Sequence, residues 1–241
     1  SLPLIYLTDE NKPSPMTAPN FCMLLRKHIG NGRITSISQP KLERIISLHI
    51  EHLNELGDLC EKKLIIEIMG KHSNIIFCDD KDMILDSIKH VSAQMSSVRE
   101  VLPGRTYFIP DTMEKSDPLS VDVSSFMEIL RLKPVPLGKA IYTSFTGISP
   151  VIAEDICFLA GLNSQLPASV LDEDTFLHLF RQFSYYMDDI RCCRFHPCIY
   201  YDGTSPKDFG AVALSHFSNY TKQELTSISE VLNTYYATKN T

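Results

Sequence analysis

Four stretches combine residue types that can do chemistry. Glu43 and Arg44 set a carboxylate beside a guanidinium at the head of an apolar run, Ile45-Ile46. Neighbours in a strand point to opposite faces, so the two do not simply neutralise each other; the alternative is a solvated strand edge. Gly70-Lys71-His72-Ser73-Asn74 gathers a cation, an imidazole, a hydroxyl and an amide into one turn. That set can cradle a phosphate or a carbonyl. It can equally serve only the turn, with Ser73 and Asn74 bonding local backbone. Lys89-His90 is a smaller cluster of the same kind. In the third stretch Tyr142 and Phe145 lie three apart, followed by Gly147-Ile148-Ser149-Pro150 and then Ala153. This fits a helix-hairpin-helix: Gly147 permits a positive φ, Ile148 plugs the space between helices, and Ala153 lets them approach. The amides that open the second helix can hold a phosphate, with Lys139 as the nearby cation. Ser149 stands where the pattern has a second glycine, and it suits an N-cap before Pro150 at the first helical position. The alternative is a packing hairpin with no ligand. Fourth, Cys192, Cys193, His196 and Cys198 invite a zinc reading, but no C-x-x-C knuckle or second ligand pair lies at finger spacing, so no metal is expected.

No nucleophile elbow, Walker loop, zincin helix or dinucleotide fingerprint occurs, which leaves no enzyme signature and no expected cofactor. The elements that must position the candidates follow from periodicity. Pro19 is placed in the first turn of a helix through Phe21, Leu24, Leu25 and Ile29, with Thr17 as its cap and Gly30-Asn31-Gly32 as its stop. Runs at 33–39, 42–51, 62–69, 73–78 and 83–88 read as a meander of short strands, hence an antiparallel sheet. A polar linker spans 110–118. Helices are then expected over 123–132, 137–145 and 150–160, with a fourth opened by Asp172. Strand character returns at Cys198–Tyr201 and Phe209–Leu214 around an Asp202-Gly203 hairpin signal, before a last helix at 227–236. The expected class is α+β, with a sheet domain over 1–122, a helical module over 123–190 and a returning segment over 191–241.

The 241 residues are 44% hydrophobic and 22% charged, which excludes a disordered, collagen-like or coiled-coil chain. No apolar run reaches the roughly 18 residues of a membrane helix, and the start lacks a signal peptide. Seven cysteines, an odd number widely spread, do not make a disulfide framework and point to a reducing cytoplasm. Net charge is −6, with 13 basic against 13 acidic residues up to Tyr107 and 10 against 16 beyond it. A general phosphate binder is normally basic, so nucleic-acid contact requires a local patch.

The stretches Phe21-Cys22-Met23-Leu24-Leu25-Arg26-Lys27-His28, Leu42-Glu43-Arg44-Ile45-Ile46, Lys63 to Ile76, Ile84 to Ser92 and Val101-Leu102-Pro103-Gly104, with Gly147-Ile148-Ser149-Pro150 and Ser227 to Leu232, together resemble the amino-terminal half of the NFACT family. In Gram-positive bacteria that family is called fibronectin-binding protein A, or RqcH. The resemblance implies a first domain similar to the amino-terminal domain of formamidopyrimidine-DNA glycosylases. It implies a ribosome-associated quality-control factor that binds large ribosomal subunits obstructed by peptidyl-tRNA. Such a factor recruits alanyl-tRNA for untemplated carboxy-terminal tailing, contacts tRNA and rRNA, and leaves peptidyl transfer to the ribosome. Carried over by position, Glu43 and Arg44 match an Asp-Arg pair for tRNA handling, with the carboxylate one methylene further out. Ser1 corresponds to a point inside the family's first domain, so its opening strands are expected to be absent. The older family name implies a rival reading, a surface adhesin with fibronectin as partner, which the free cysteines and missing export signal disfavour. A base-excision enzyme follows from fold analogy alone.

Overall fold

The computed structural model describes residues 2–110 and 115–239, and the side chains of 238 and 239 are not described. The linker expected over 110–118 includes residues 111–114, which lie outside the described residues. The chain divides into two compact units: Ser1–Ile5 with Glu10–Glu114, and Tyr6–Asp9 with Lys115–Thr241.

The first unit opens with α1 (Asn20–Ile29), then β1 (Arg33–Ser38), β2 (Ile45–Leu53), β3 (Leu59–Glu67), β4 (Asn74–Asp79) and β5 (Ile84–Ser87). Pro19 is the N-cap of α1 rather than part of its first turn, and no side chain caps it. Thr17 stands two residues before the cap position, so it does not occupy the place from which a side chain accepts from the first amides of the helix. The five strands form one antiparallel sheet in sequence order. Register puts Ile45, Ile65, Ile76 and Cys78 on one face, where with Ile84 and Val101 they form a core also packed by Met69, Val91 and Tyr107. Burial pushes the Cys78 thiol up to about 12, so it behaves as a small hydrophobe. At the margin of this core the Glu67 carboxylate is fully enclosed. It accepts from Arg99 Nη2 and, at 2.8 Å, from the Tyr107 hydroxyl, while Arg99 Nη1 donates to the Phe108 carbonyl at 2.7 Å.

The second unit holds α2 (Val123–Arg131), α3 (Leu137–Ser144), α4 (Pro150–Leu159) and α5 (Glu173–Arg191). These are followed by β6 (Cys198–Asp202), β7 (Ser205–Gly210), β8 (Thr221–Glu224) and α6 (Ile228–Lys239). Phe126, Phe145, Phe180 and Phe183 stack at centroid distances of 4.9–5.5 Å for the four pairs linking Phe126 with the other three and Phe145 with Phe183. The returning strands form an antiparallel sheet ordered β7-β6-β8. The strand expected over 209–214 is in fact centred earlier, because the turn at Gly203 (φ 61°) is tight and pairing starts at Asp202↔Ser205. Residues 211–214 leave the sheet, and Leu214 is buried beside Cys198 and Tyr200. β8, a polar and exposed strand of Thr-Lys-Gln-Glu, carries no apolar alternation by which to read it.

Asp122 and Asp172 cap α2 and α5 by accepting from the amides of Ser125 and Thr175, both at 2.8 Å. Those hydrogen bonds hold both carboxyls below their usual 3.8. A group whose folded pKa is depressed stabilises fully above its unfolded value and stops doing so as pH falls through the folded one. Both caps are therefore expected to be intact above about pH 4 and to weaken in stronger acid. Asp122→Asn with Asp172→Asn should flatten that part of a melting-temperature profile against pH.

Candidate nucleic-acid interface

The ladder places Glu43 and Arg44 at one end of the first sheet. Gln39 Nε2 donates to the Glu43 carbonyl (2.9 Å), the Glu43 amide donates to the Pro40 carbonyl (3.0 Å), and the Ile68 amide donates to the Arg44 carbonyl (2.9 Å). The backbone of the pair is thus fixed before β2 begins. The Arg44 side chain is exposed, and Glu43 is half-buried. Neither side chain forms an ion pair or hydrogen bond among the described residues.

Because Arg44 bonds Ile68, the turn after β3 comes to the same end. Gly70 has φ 57° and opens a short 3-10 turn through His72. Here the two readings of the sequence separate by residue. Ser73 donates to the Gly70 carbonyl (2.7 Å) and accepts from the Met69 amide (2.9 Å). Asn74 is buried, donates to the Lys89 carbonyl (3.0 Å) and accepts from the amides of Ile75 and Lys89. Ser73 and Asn74 therefore shape the turn and pin β4 to the segment after β5. Lys71 and His72 are exposed and remain available to a ligand.

Three segments meet at this end of the sheet: 39–44, 68–73 and 88–90. They present Lys41, Arg44, Lys71 and Lys89, with His72 beside them, against Glu43 and against Asp86, which holds His90 at 2.6 Å; Lys89 Nζ donates to the Lys71 carbonyl (3.2 Å). The turns at the opposite end, 54–58 and 80–83, carry Glu55, Asp58, Asp80 and Asp82 against Lys81. The even balance of charge up to Tyr107 hides this separation, because the meander sends alternate turns to opposite ends. A rim of exposed cations is the electrostatic footprint of a phosphate backbone.

In the second unit α3 and α4 are joined by five residues. Gly147 adopts φ 80°, Ile148 is 6% exposed and Ala153 is fully buried. Ser149 caps α4 by accepting from the Ile152 amide at 3.3 Å, and Pro150 has no amide to offer. The amides of Ile148, Ser149 and Val151 have no acceptor among the described residues. They lie at the positive end of α4, whose first turn holds no acid. Lys139 is exposed on the first turn of α3. Its Cα lies about 8 Å along the axis from that of Ser144, at 1.5 Å per residue. Gly147→Val is expected to lower stability by about 1–3 kcal/mol, since a β-branched residue resists positive φ. Ser149→Gly should cost only about a few tenths of a kcal/mol as a cap; thermal melts of the two variants check the ranking.

The sulfur cluster is dispersed. Cys192 and Cys193 are exposed at the end of α5, whereas Cys198 is buried in β6 against the Gly210 and Val212 carbonyls. Among the described residues no group of three or more His, Cys, Asp or Glu side chains could hold a metal.

Sequence reading passed over one group. Asp155 on α4 is fully buried. It accepts from the Tyr186 hydroxyl, from the His216 amide (2.8 Å) and pairs with His216 Nδ1 (2.6 Å). Burial and the neighbouring carboxylate push the Tyr186 phenol up. This knot joins α4, α5 and the segment after β7, and its partners lie too far apart in sequence to signal one another.

A family model described as NFACT N-terminal and middle domains matches residues 1–241. The chain is 41% identical over 170 residues to "Rqc2 homolog RqcH" of Bacillus subtilis, covering 69% of this chain and 30% of that protein. It is 32% identical over 236 residues to the protein of the same name in Streptococcus pneumoniae, covering 98% and 38%. The chain thus spans roughly a third of the length of these relatives. Among solved structures, the N-terminal part of the fibronectin/fibrinogen-binding protein from Streptococcus suis superposes with a TM-score of 0.73 at 28% identity, covering 97% of this chain and 78% of that one.

Proposed function

Since the chain belongs to the NFACT family, we propose that it is the amino-terminal, RNA-facing part of a ribosome-associated quality-control factor. The observation that carries the reading is the cationic rim of the first unit, with Arg44 unpaired at its centre on a backbone fixed by the sheet. In this reading the natural-length polypeptide engages large ribosomal subunits obstructed by peptidyl-tRNA. Glu43 and Arg44 position tRNA, and alanyl-tRNA supports untemplated tailing of the stalled chain. Lys71 and His72 add backbone contacts on the same rim. The α3–α4 turn acts as a helix-hairpin-helix, offering the amides after Gly147 to an rRNA or tRNA phosphate. The protein binds and orients, and the ribosome performs the bond-forming step.

The direct test is to recover the natural-length protein from cells at low salt and sequence the RNA it carries. Enrichment of rRNA from the large subunit together with one tRNA class is expected. Background RNA alone would end the reading. The name of the solved Streptococcus suis relative, a fibronectin/fibrinogen-binding protein, motivates a second reading, adhesion to fibronectin. The same preparation tested on immobilised fibronectin separates the two.

A further inference from the structure

The side of the first sheet turned away from the Ile45, Ile65 and Ile76 core carries a second buried layer. Register places Ile50 and His52 of β2, Cys60 and Lys62 of β3 and Phe77 of β4 on that side. Ile50, His52 and Phe77 are buried there. Helix α1 packs on β2, although none of its own residues is fully buried. The His28 ring, in the last turn of α1, lies 5.9 Å from the Phe77 ring. Hydrogen bonding fixes the state of His52. Its Nδ1 lies 3.2 Å from the Leu53 carbonyl, and its Nε2 lies 3.0 Å from Lys62 Nζ. A carbonyl only accepts and an ammonium only donates. The ring that fits both is neutral, with its proton on Nδ1 and its lone pair on Nε2. A proton added at Nε2 breaks the bond to Lys62 and sets two cations against each other.

His28 stands in the same field. Burial, and then the charges of Lys27, Lys62 and His52, hold it below its usual 6.5, with Glu55 pulling the other way. The other neighbours do not cancel that field. α1 itself carries no acid, and Arg26 beside His28 turns to the Met23 sulfur. Asp79 faces Lys62 in the register, but its Oδ1 accepts from the amides of Lys81 and Met83, both at 2.9 Å. Glu51 belongs to the other side of β2 and pairs with Arg33. Cys60, opposite His52, is a free thiol. We propose that the seat of α1 on the sheet is a proton-operated latch. Neutral His28 and His52 keep it closed, and protonation of the two rings beside Lys62 and Lys27 releases α1 and uncovers Ile50 and Phe77. The sign follows from linkage. A docked state that resists protonation is fully favoured above the ordinary histidine value of 6.5. It loses that advantage as pH falls below it, because the undocked rings then bind more protons.

Deuterium exchange in the natural-length polypeptide reads the latch, with the β3 and β4 amides of the same sample as reference. From about pH 7.5 to about pH 5.5, the range over which histidine changes charge, protection of α1 relative to that reference should fall at least about threefold. His28→Gln combined with His52→Gln should keep the protection seen at the higher pH and remove its pH dependence. Nitrogen resonances of the histidine rings in unmutated protein give the second readout. At the higher pH, His52 should carry its proton on Nδ1 with Nε2 bare, and His28 should titrate below 6.5. Protection of α1 that ignores pH overturns the proposal, as does a pH response that survives in the double variant. So does a His52 protonated on Nε2 at the higher pH, or a His28 that titrates at or above the ordinary value. The ring measurement needs no substitution, so a double variant that fails to fold does not shelter the proposal.

Discussion

Arg44→Ala in the natural-length polypeptide is expected to abolish carboxy-terminal tailing while leaving the melting temperature nearly unchanged. Arg44 contributes to the fold through its carbonyl, which accepts from Ile68, and alanine keeps that bond. Its guanidinium is exposed, with no ion pair among the described residues, so its removal should cost within about 0.5 kcal/mol. If the guanidinium positions tRNA, its loss removes a contact for which a displacement of about 1 Å is already costly. Glu43→Asp should be tolerated, because it keeps the carboxylate that the resemblance implies at this position while the Gln39 bond goes to the backbone. Lys71→Ala should give a graded loss of RNA affinity and a shallower salt dependence, as expected on removing one phosphate contact. Reconstituted tailing and filter binding across a salt titration are the measurements. A folded Arg44→Ala protein that tails normally would sink the assignment.

The second large effect is structural. Arg99→Ala should destabilise the first unit by about 3–5 kcal/mol, the range for stranding one member of a buried ion pair. Glu67 would keep only the Tyr107 hydroxyl, and the segment through Phe108 would lose the Arg99 bond to its carbonyl. Burial and the Glu67 charge push the Tyr107 phenol up, so it stays a neutral donor and brings no charge in place of the guanidinium. Glu67→Met combined with Arg99→Met should recover much of the loss, because an apolar pair needs no partner. Urea melts of the single and double variants decide; additive losses would show that the pair is not coupled.

The sheet meander was readable because its strands are short apolar runs and the three central ones are closed by turn residues, at Asn54–Asp58, Gly70 and Asp79–Asp82. The hairpin was readable because Gly147, Ile148, Ser149 and Pro150 each do a local job. What escaped depends on distance along the chain. The Glu67–Arg99 pair spans 32 residues, and the Asp155 knot spans 61 to His216. β8 escaped because its pairing with β6 is made through backbone, with nothing in its side chains to announce it. The basic rim escaped because counting charges along a chain averages over the ends that the topology separates. For the same reason Ser73 and Asn74 looked like Lys71 and His72 until their hydrogen bonds divided them.

The span between Asp155 and His216 also sets a timetable for biosynthesis. The α3–α4 hairpin leaves the exit tunnel with its central carboxylate charged and in water, since 61 further residues must be made before His216 is joined. At about 5–20 residues per second that delay is roughly 3–12 s. Helices form in microseconds, so for that interval α4 is a helix whose inner face carries a hydrated anion and cannot seal. The hairpin becomes rigid only when the last quarter of the chain arrives, which makes its open turn amides a late-born feature and marks the nascent hairpin as a stage that chaperones or proteases can reach.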